Sequence, residues 1–221
     1  MQKNVNTSKR KAILIGATGL VGTELLKLLL EDQDYEKIVT VGRRKTNIHH
    51  SKLIEHEMDL SRLDSFQPEF TPDDVFCTLG TTIKTAGSRE AFRQVDHDFA
   101  AAAAGLALKT GAGQFLVVSA LGASADSGIF YNRVKGEMER DVLREKIPCI
   151  HIFRPSLLLG KRKEFRPGEK IAQILMPLFN IFLRGPVKKY RPVKAEAVAR
   201  SMLSCAKKNE TGFHIHESDE L

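Results

Sequence analysis

In "FYNRVKGEME", residues 130–139, a tyrosine stands four positions ahead of a lysine. Positions i and i+4 share one face of a helix, so a helical segment points Tyr131 and Lys135 the same way. An ammonium beside a phenol favours the phenolate. A phenol tuned in this way gives a proton to an alcohol or carbonyl oxygen, or takes one from it. The bland alternative is two neighbours on a helix surface, because the spacing is common. Tyr190 and Lys194 in "YRPVK" share it, but Pro192 stands between them and disfavours a helix interior. What separates the first pair is Ser119, which closes the apolar run "QFLVVS" upstream of Tyr131. Its hydroxyl can hold a carbonyl oxygen while Tyr131 protonates it, and Lys135 can serve both the phenolate and a cofactor ribose.

Such chemistry needs a redox partner, and the N-terminal third supplies its signature. "GATGLVG" sets Gly16, Gly19 and Gly22 around Thr18, Leu20 and Val21, between an apolar run and a helical pattern. Glycines there let the backbone turn tightly and approach a pyrophosphate, which meets the free N–H groups of the helix N-terminus. The spacing is GxxGxxG rather than GxGxxG, but it falls at the strand-to-helix junction that dinucleotide binding requires. The second strand ends in "GRRK". An acidic residue at that place binds the 2′-hydroxyl of NAD, whereas Arg43 and Arg44 suit a 2′-phosphate through charge-assisted hydrogen bonds. The expected cofactor is NADPH. Asp59 and Leu60, past the third strand, are expected to flank the adenine. Leu79, Gly80 and Thr81, past the fourth, are expected to pass its ribose.

The elements that must position these residues alternate. "KAILI" (11–15), "KIVTVG" (37–42), "KLIEHEMDL" (52–60), "DDVFCTLG" (73–80), "QFLVVSA" (114–120) and "CIHIFRPS" (149–156) read as strands, with "GFHIHE" as a seventh. Between them lie helical patterns: "LVGTELLKLLLED", a long helix from Arg89 to Lys109 with Phe92, Val95, Phe99 and Leu106 in a stripe, and 129–146. A further helix is expected over 194–208, with Ala195, Val198, Met202 and Ala206 inward. Strands alternating with helices predict an α/β fold, a Rossmann-type doubly wound parallel sheet with a small C-terminal substrate-side region. The whole of 1–221 reads as one domain, with 1–10 a flexible leader and 156–192 the substrate-side segment.

Composition bounds the alternatives. At 42% hydrophobic and 28% charged, the chain is an ordinary globule. Its longest apolar stretch, 171–183, is interrupted by Pro177 and falls short of the roughly 20 residues a membrane span needs. A net charge of +7 invites nucleic acid, but the basic residues are scattered and no zinc-finger, RNP or helix-turn-helix pattern accompanies them. No specific nucleic acid is expected. Cys77, Cys149 and Cys205 read as buried reduced thiols, and a cytoplasmic location follows. "HIH" (214–216) puts two histidines on one strand face without a third ligand, so no metal is expected.

The Gly-rich turn, the strand-end serine and Tyr-x-x-x-Lys together resemble the short-chain dehydrogenase/reductase superfamily. "GRRK", "CTLGTTIKTAGSREAFRQVDHDF", "FYNRVKGEME" and "FRPSLLLGKRKEFRPGE" are similar to its atypical branch named for the human HIV Tat-interacting protein, from about residue 11 to 200. The resemblance implies a Rossmann-type fold, NADPH and a small-molecule carbonyl or alcohol substrate. It also implies that Arg154, Pro155 and Ser156 pack against the nicotinamide, and that helices 89–109 and 129–146 offer homodimer surfaces. Arg162 and Arg166 fall in the substrate-side segment, for an acidic substrate group or for loop order. Members of the branch are often described as regulators, so a non-catalytic NADPH-binding sensor acting through a protein partner is the alternative. Ala120 stands where a second serine often follows in relatives, which leaves Ser119 as the hydroxyl candidate.

Overall fold

The last four residues of the first strand, β1 (Arg10–Ile15), are buried, as a parallel strand covered on both faces requires. In this computed structural model, which describes residues 9–160 and 190–221, six parallel strands join it in one sheet. In chain order the elements are β1, α1 (Leu20–Glu31), β2 (Tyr35–Gly42), β3 (Leu53–Glu57), β4 (Asp74–Cys77), α2 (Ile83–Ala86) and α3 (Arg89–Arg93). They continue as α4 (Phe99–Lys109), β5 (Gln114–Val118), α5 (Phe130–Val142), β6 (Cys149–Arg154), β7 (Leu158–Leu159), β8 (Val193–Lys194), α6 (Ala195–Ala206) and β9 (Gly212–Glu217). The sheet order is β3-β2-β1-β4-β5-β6-β9, the doubly wound Rossmann order with one strand added.

Alternate strand residues feed two apolar layers. Ile13, Ile15, Phe115 and Val117 face α4 and α5, where Ala103, Ala104 and Met138 complete the packing. Leu14, Phe76, Leu116 and Phe153 face α1 and α6. The inward stripe expected for the last helix, Ala195, Val198, Met202 and Ala206, is fully buried. Ala103 and Ala104 do more than favour helix, since their lack of bulk lets α4 lie close on the sheet.

The expected helix over 89–109 forms, but it is irregular. Between α3 and α4 the chain makes a π-helical turn, Gln94–Asp98, a conformation frequent at functional sites. The short β7–β8 pair brackets the segment assigned to the substrate side. Arg162, Arg166 and the apolar stretch 171–183 lie outside the described residues, as does most of the leader.

Candidate functional site

Sheet order reverses between β1 and β4, and a crevice opens there beyond the strands' carboxyl ends. Gly16 turns the chain out of β1 with φ +91°, which L side chains rarely adopt. Thr78, just past β4, braces that turn by sharing its hydroxyl between the Ile15 and Gly16 carbonyls, 3.1 Å from each. Gly22 serves close packing: a Cβ on it would lie 2.2 Å from the Gly16 carbonyl oxygen. Gly19 has ordinary backbone angles and no protein atom nearer than 3.3 Å to a built Cβ. What its lack of side chain leaves open is the approach to the first amides of α1, whose cap has no side-chain acceptor. Leu20 and Val21 pack into the α1 layer, so they offer the crevice backbone rather than side chains.

Gly22→Ala is expected to force α1 off the turn. Overpacking of this kind costs about 1–3 kcal/mol, read as a lower urea midpoint accompanied by weaker dinucleotide binding. A variant with wild-type stability and binding would show that the glycine spacing is incidental.

A cleft with about 540 Å³ of free volume follows from this geometry, lined by Gly16, Thr18, Arg43, Arg44, Leu60 and Leu79 among others. Arg43 and Arg44 are exposed at its rim. Asp59 caps the 3-10 turn that begins at Leu60, accepting from the Ser61 amide at 3.0 Å. That bond holds its carboxyl below the usual range, with Arg43 contributing electrostatically.

The Tyr131–Lys135 pair is organised by a residue that sequence reasoning missed. Tyr131 lies in the first turn of α5 and Lys135 one turn further on. Lys135 is 3% exposed, and its ammonium sits 2.9 Å from Oδ1 of Asp96, itself 1% exposed. The ammonium also reaches the Val118 carbonyl at 3.4 Å. Burial works to lower the Lys135 pKa, but Asp96 and then Tyr131 outweigh it, and the net shift is upward. Lys135 therefore stays an ammonium beside the tyrosine. Asp96 Oδ2 accepts from the Thr81 amide at 2.8 Å, tying Leu79, Gly80 and Thr81 to the same carboxylate. Its Oδ1 meets the ammonium without a well-angled hydrogen bond. The Tyr131 ring rests on Phe92 of α3, with centroids 5.3 Å apart. The signal for Asp96 was available, because a carboxylate at position 96 shares the buried helix face of Phe92 and Phe99. Tyr190 and Lys194 share no helix, since α6 begins only at Ala195.

Four expected site residues make bonds within the protein. The Ser119 hydroxyl is buried and donates to Glu139 Oε1 of α5. Glu139 in turn pairs with Arg154 at 3.0 and 2.5 Å, and Arg154 also reaches Glu217 of β9 at 3.0 Å. The bond to Glu139, acting against burial, holds the guanidinium above its ordinary pKa. Ser156 donates its hydroxyl to the Arg191 carbonyl, and the Pro155 carbonyl accepts from the Leu121 amide at 2.9 Å. Ser119 and Arg154 thus meet on Glu139, and with Glu217 they link β5, α5, β6 and β9.

Residues 12–130 match the profile of the NAD dependent epimerase/dehydratase family. Protein HTATIP2 of Rattus norvegicus is 34% identical over 78% of this chain and 73% of its own length. Protein FMP52, mitochondrial, of Meyerozyma guilliermondii is 38% identical over 69% of this chain and 67% of its own length. Among solved structures, the Bordetella bronchiseptica enzyme WbmH in complex with NAD+ superposes with a TM-score of 0.69 at 16% identity. That match covers 95% of this chain and 75% of WbmH, and it is a likeness of fold. The mitochondrial name of the fungal relative overturns the cytoplasmic expectation. Buried thiols are no guide to compartment here. No described helix is long and apolar enough to cross a membrane.

Proposed function

The chain belongs to the NAD dependent epimerase/dehydratase family, and from that premise we propose an NADPH-dependent oxidoreductase acting on a carbonyl or alcohol. The observation that carries this reading is a buried, charged Lys135 one helical turn from Tyr131, held by an Asp96 that also fixes the Thr81 amide two residues from Leu79 of the Gly-rich cleft. Bound NADPH would supply the hydride. The protein's own residues do the rest. The Gly16–Gly22 turn presents the α1 amides to the pyrophosphate, and Leu60 and Leu79 line the adenine side. Tyr131 gives the carbonyl oxygen its proton in reduction and takes it back in oxidation. Lys135 holds positive charge beside that phenol and is itself held by Asp96.

The choice of NADPH over NADH rests on Arg43 and Arg44, which line the cleft where an acidic residue would bind a 2′-hydroxyl. A charged hydrogen bond contributes roughly 1.5–3 kcal/mol, so Arg43→Ala should weaken NADPH binding about ten- to a hundredfold and leave NADH nearly unchanged. Superimposable titrations of the two cofactors on the wild type would sink the assignment. A screen of carbonyl compounds that follows NADPH absorbance then finds the substrate class.

The use of Ser119 by Glu139 favours a second reading. With its strand-end hydroxyl engaged, the chain would bind NADPH and act through a protein partner. Turnover of the Tyr131 variant separates the two.

A further inference from the structure

On the far side of the sheet from α4 and α5, folding supplies the ligand that "HIH" lacked. His151 of β6, Cys205 of α6 and His216 of β9 turn their polar atoms toward one point, all within 4.8 Å of one another. His151 Nδ1 lies 3.0 Å from His216 Nε2, and the Cys205 sulfur lies 3.7 Å from that same Nε2. A tetrahedral ion has bonds of about 2.0–2.1 Å to nitrogen and about 2.3 Å to sulfur, which sets N···N near ~3.3 Å and N···S near ~3.6 Å. These two separations need shifts of a few tenths of an ångström or less to match, and the third, from His151 to the Cys205 sulfur, falls within 4.8 Å.

The surroundings fit the same ligand set. The other ring nitrogen of His151, Nε2, lies 3.3 Å from the Cys149 sulfur. With Nδ1 on a metal, Nε2 carries the proton and donates it to that sulfur, the outer-shell contact that fixes a ligating imidazole. The His216 ring stacks on Phe153 at 4.6 Å and lies parallel to His151, so its orientation is set by packing. His151 and Cys205 are buried, whereas His216 is partly exposed on the edge strand and gives a path of entry. His214, the other half of "HIH", stacks on His151 and spends its Nε2 on the Thr211 carbonyl, which leaves it outside the ligand set.

We propose that His151, Cys205 and His216 form a site for a zinc-class transition-metal ion, with water in the fourth position. Two imidazoles and a thiolate select this class over magnesium or calcium, which prefer oxygen. The ion clips the edge strand β9, and the α6 that precedes it, to β6, which lies far from both in sequence.

The test uses the full chain, reduced and stripped by a chelator, titrated with Co²⁺ and then with Zn²⁺. A thiolate-to-cobalt charge-transfer band is expected, with tetrahedral ligand-field bands, and Zn²⁺ should abolish both. Cys205→Ser should remove the charge-transfer band. His216→Ala, at the half-exposed edge, should weaken Zn²⁺ binding by more than the roughly 10–100-fold that losing an outer-shell partner costs. Cys149→Ala should keep the band and weaken binding within that range. No band in the wild type, or one that survives Cys205→Ser, would show that two histidines merely share a proton there. Equal Zn²⁺ affinity in His216→Ala and wild type would do the same.

Discussion

Tyr131→Phe is expected to fold and to bind NADPH as the wild type does, yet to turn over any accepted carbonyl about 10²–10⁴-fold more slowly, the usual contribution of a positioned acid/base group. The ring keeps its contact with Phe92, so packing is preserved and only the hydroxyl is lost. The loss should fall on kcat, because the proton moves in the transition state. Tyr190→Phe is the matched control. Tyr190 has the same spacing to a lysine but shares no helix with it, and its removal should leave the chemical step intact. A regulator predicts the opposite pattern, with Tyr131→Phe silent and Arg43→Ala abolishing partner binding. If Tyr131→Phe turned over like the wild type, Tyr131 would move no proton and Lys135 would serve only as the buried partner of Asp96.

The largest effect on stability is expected at Asp96. Its carboxylate is the counter-ion of a lysine with 3% exposure, so Asp96→Asn strands a charge in the interior. Breaking such a pair from one side costs about 3–5 kcal/mol. Urea denaturation at neutral pH should show a loss of that size, together with slower turnover as the Thr81 segment loosens. Removing both partners, Asp96→Leu with Lys135→Met, should recover most of the stability and none of the activity. The pH dependence has a definite sign. The folded pKa of Lys135 lies above its unfolded value of about 10.4. The ion pair's contribution is therefore complete below that pH and fades as pH climbs through the folded value. The wild type should accordingly lose stability in strongly alkaline urea, and the double variant, which has no such pair to lose, should not. Asp96→Asn unfolding at the wild-type midpoint would show that the pair bears no such weight.

The sheet was legible because central parallel strands are apolar on both faces. All seven expected runs became strands, the first two slightly longer than expected and four of the others shorter. The cleft was legible for a related reason, since a glycine at φ +91° and a glycine under a carbonyl leave a mark in the chain itself. What local pattern cannot carry is the partner of a side chain. Ser119 reads as a free strand-end hydroxyl until Glu139 is found beside it, one helix later. Arg154 reads as a ligand contact until Glu139 and Glu217 close on it. His151 lies 65 residues from His216, and only the adjacency of β6 and β9 makes them neighbours. Asp96 is the intermediate case. Its place on an apolar stripe was visible, but the π-helical turn that presents it to Lys135 was not.

That turn makes the site sensitive to chain length rather than to composition. A π-helical turn holds one residue more than the α-helix it interrupts. Deleting any residue of 94–98 would leave a regular helix running from α3 into α4, with a full hydrogen-bond ladder and an intact apolar stripe downstream. It would also rotate everything upstream by about 100° relative to α4, the angle each residue subtends. Phe92 would swing away from Tyr131, and a deletion at 97 or 98 would also turn Asp96 away from Lys135. A single-codon loss that improves the helix would thus dismantle the site, while many substitutions in the same stretch would not. Insertions and deletions, more than point changes, are what this region cannot absorb.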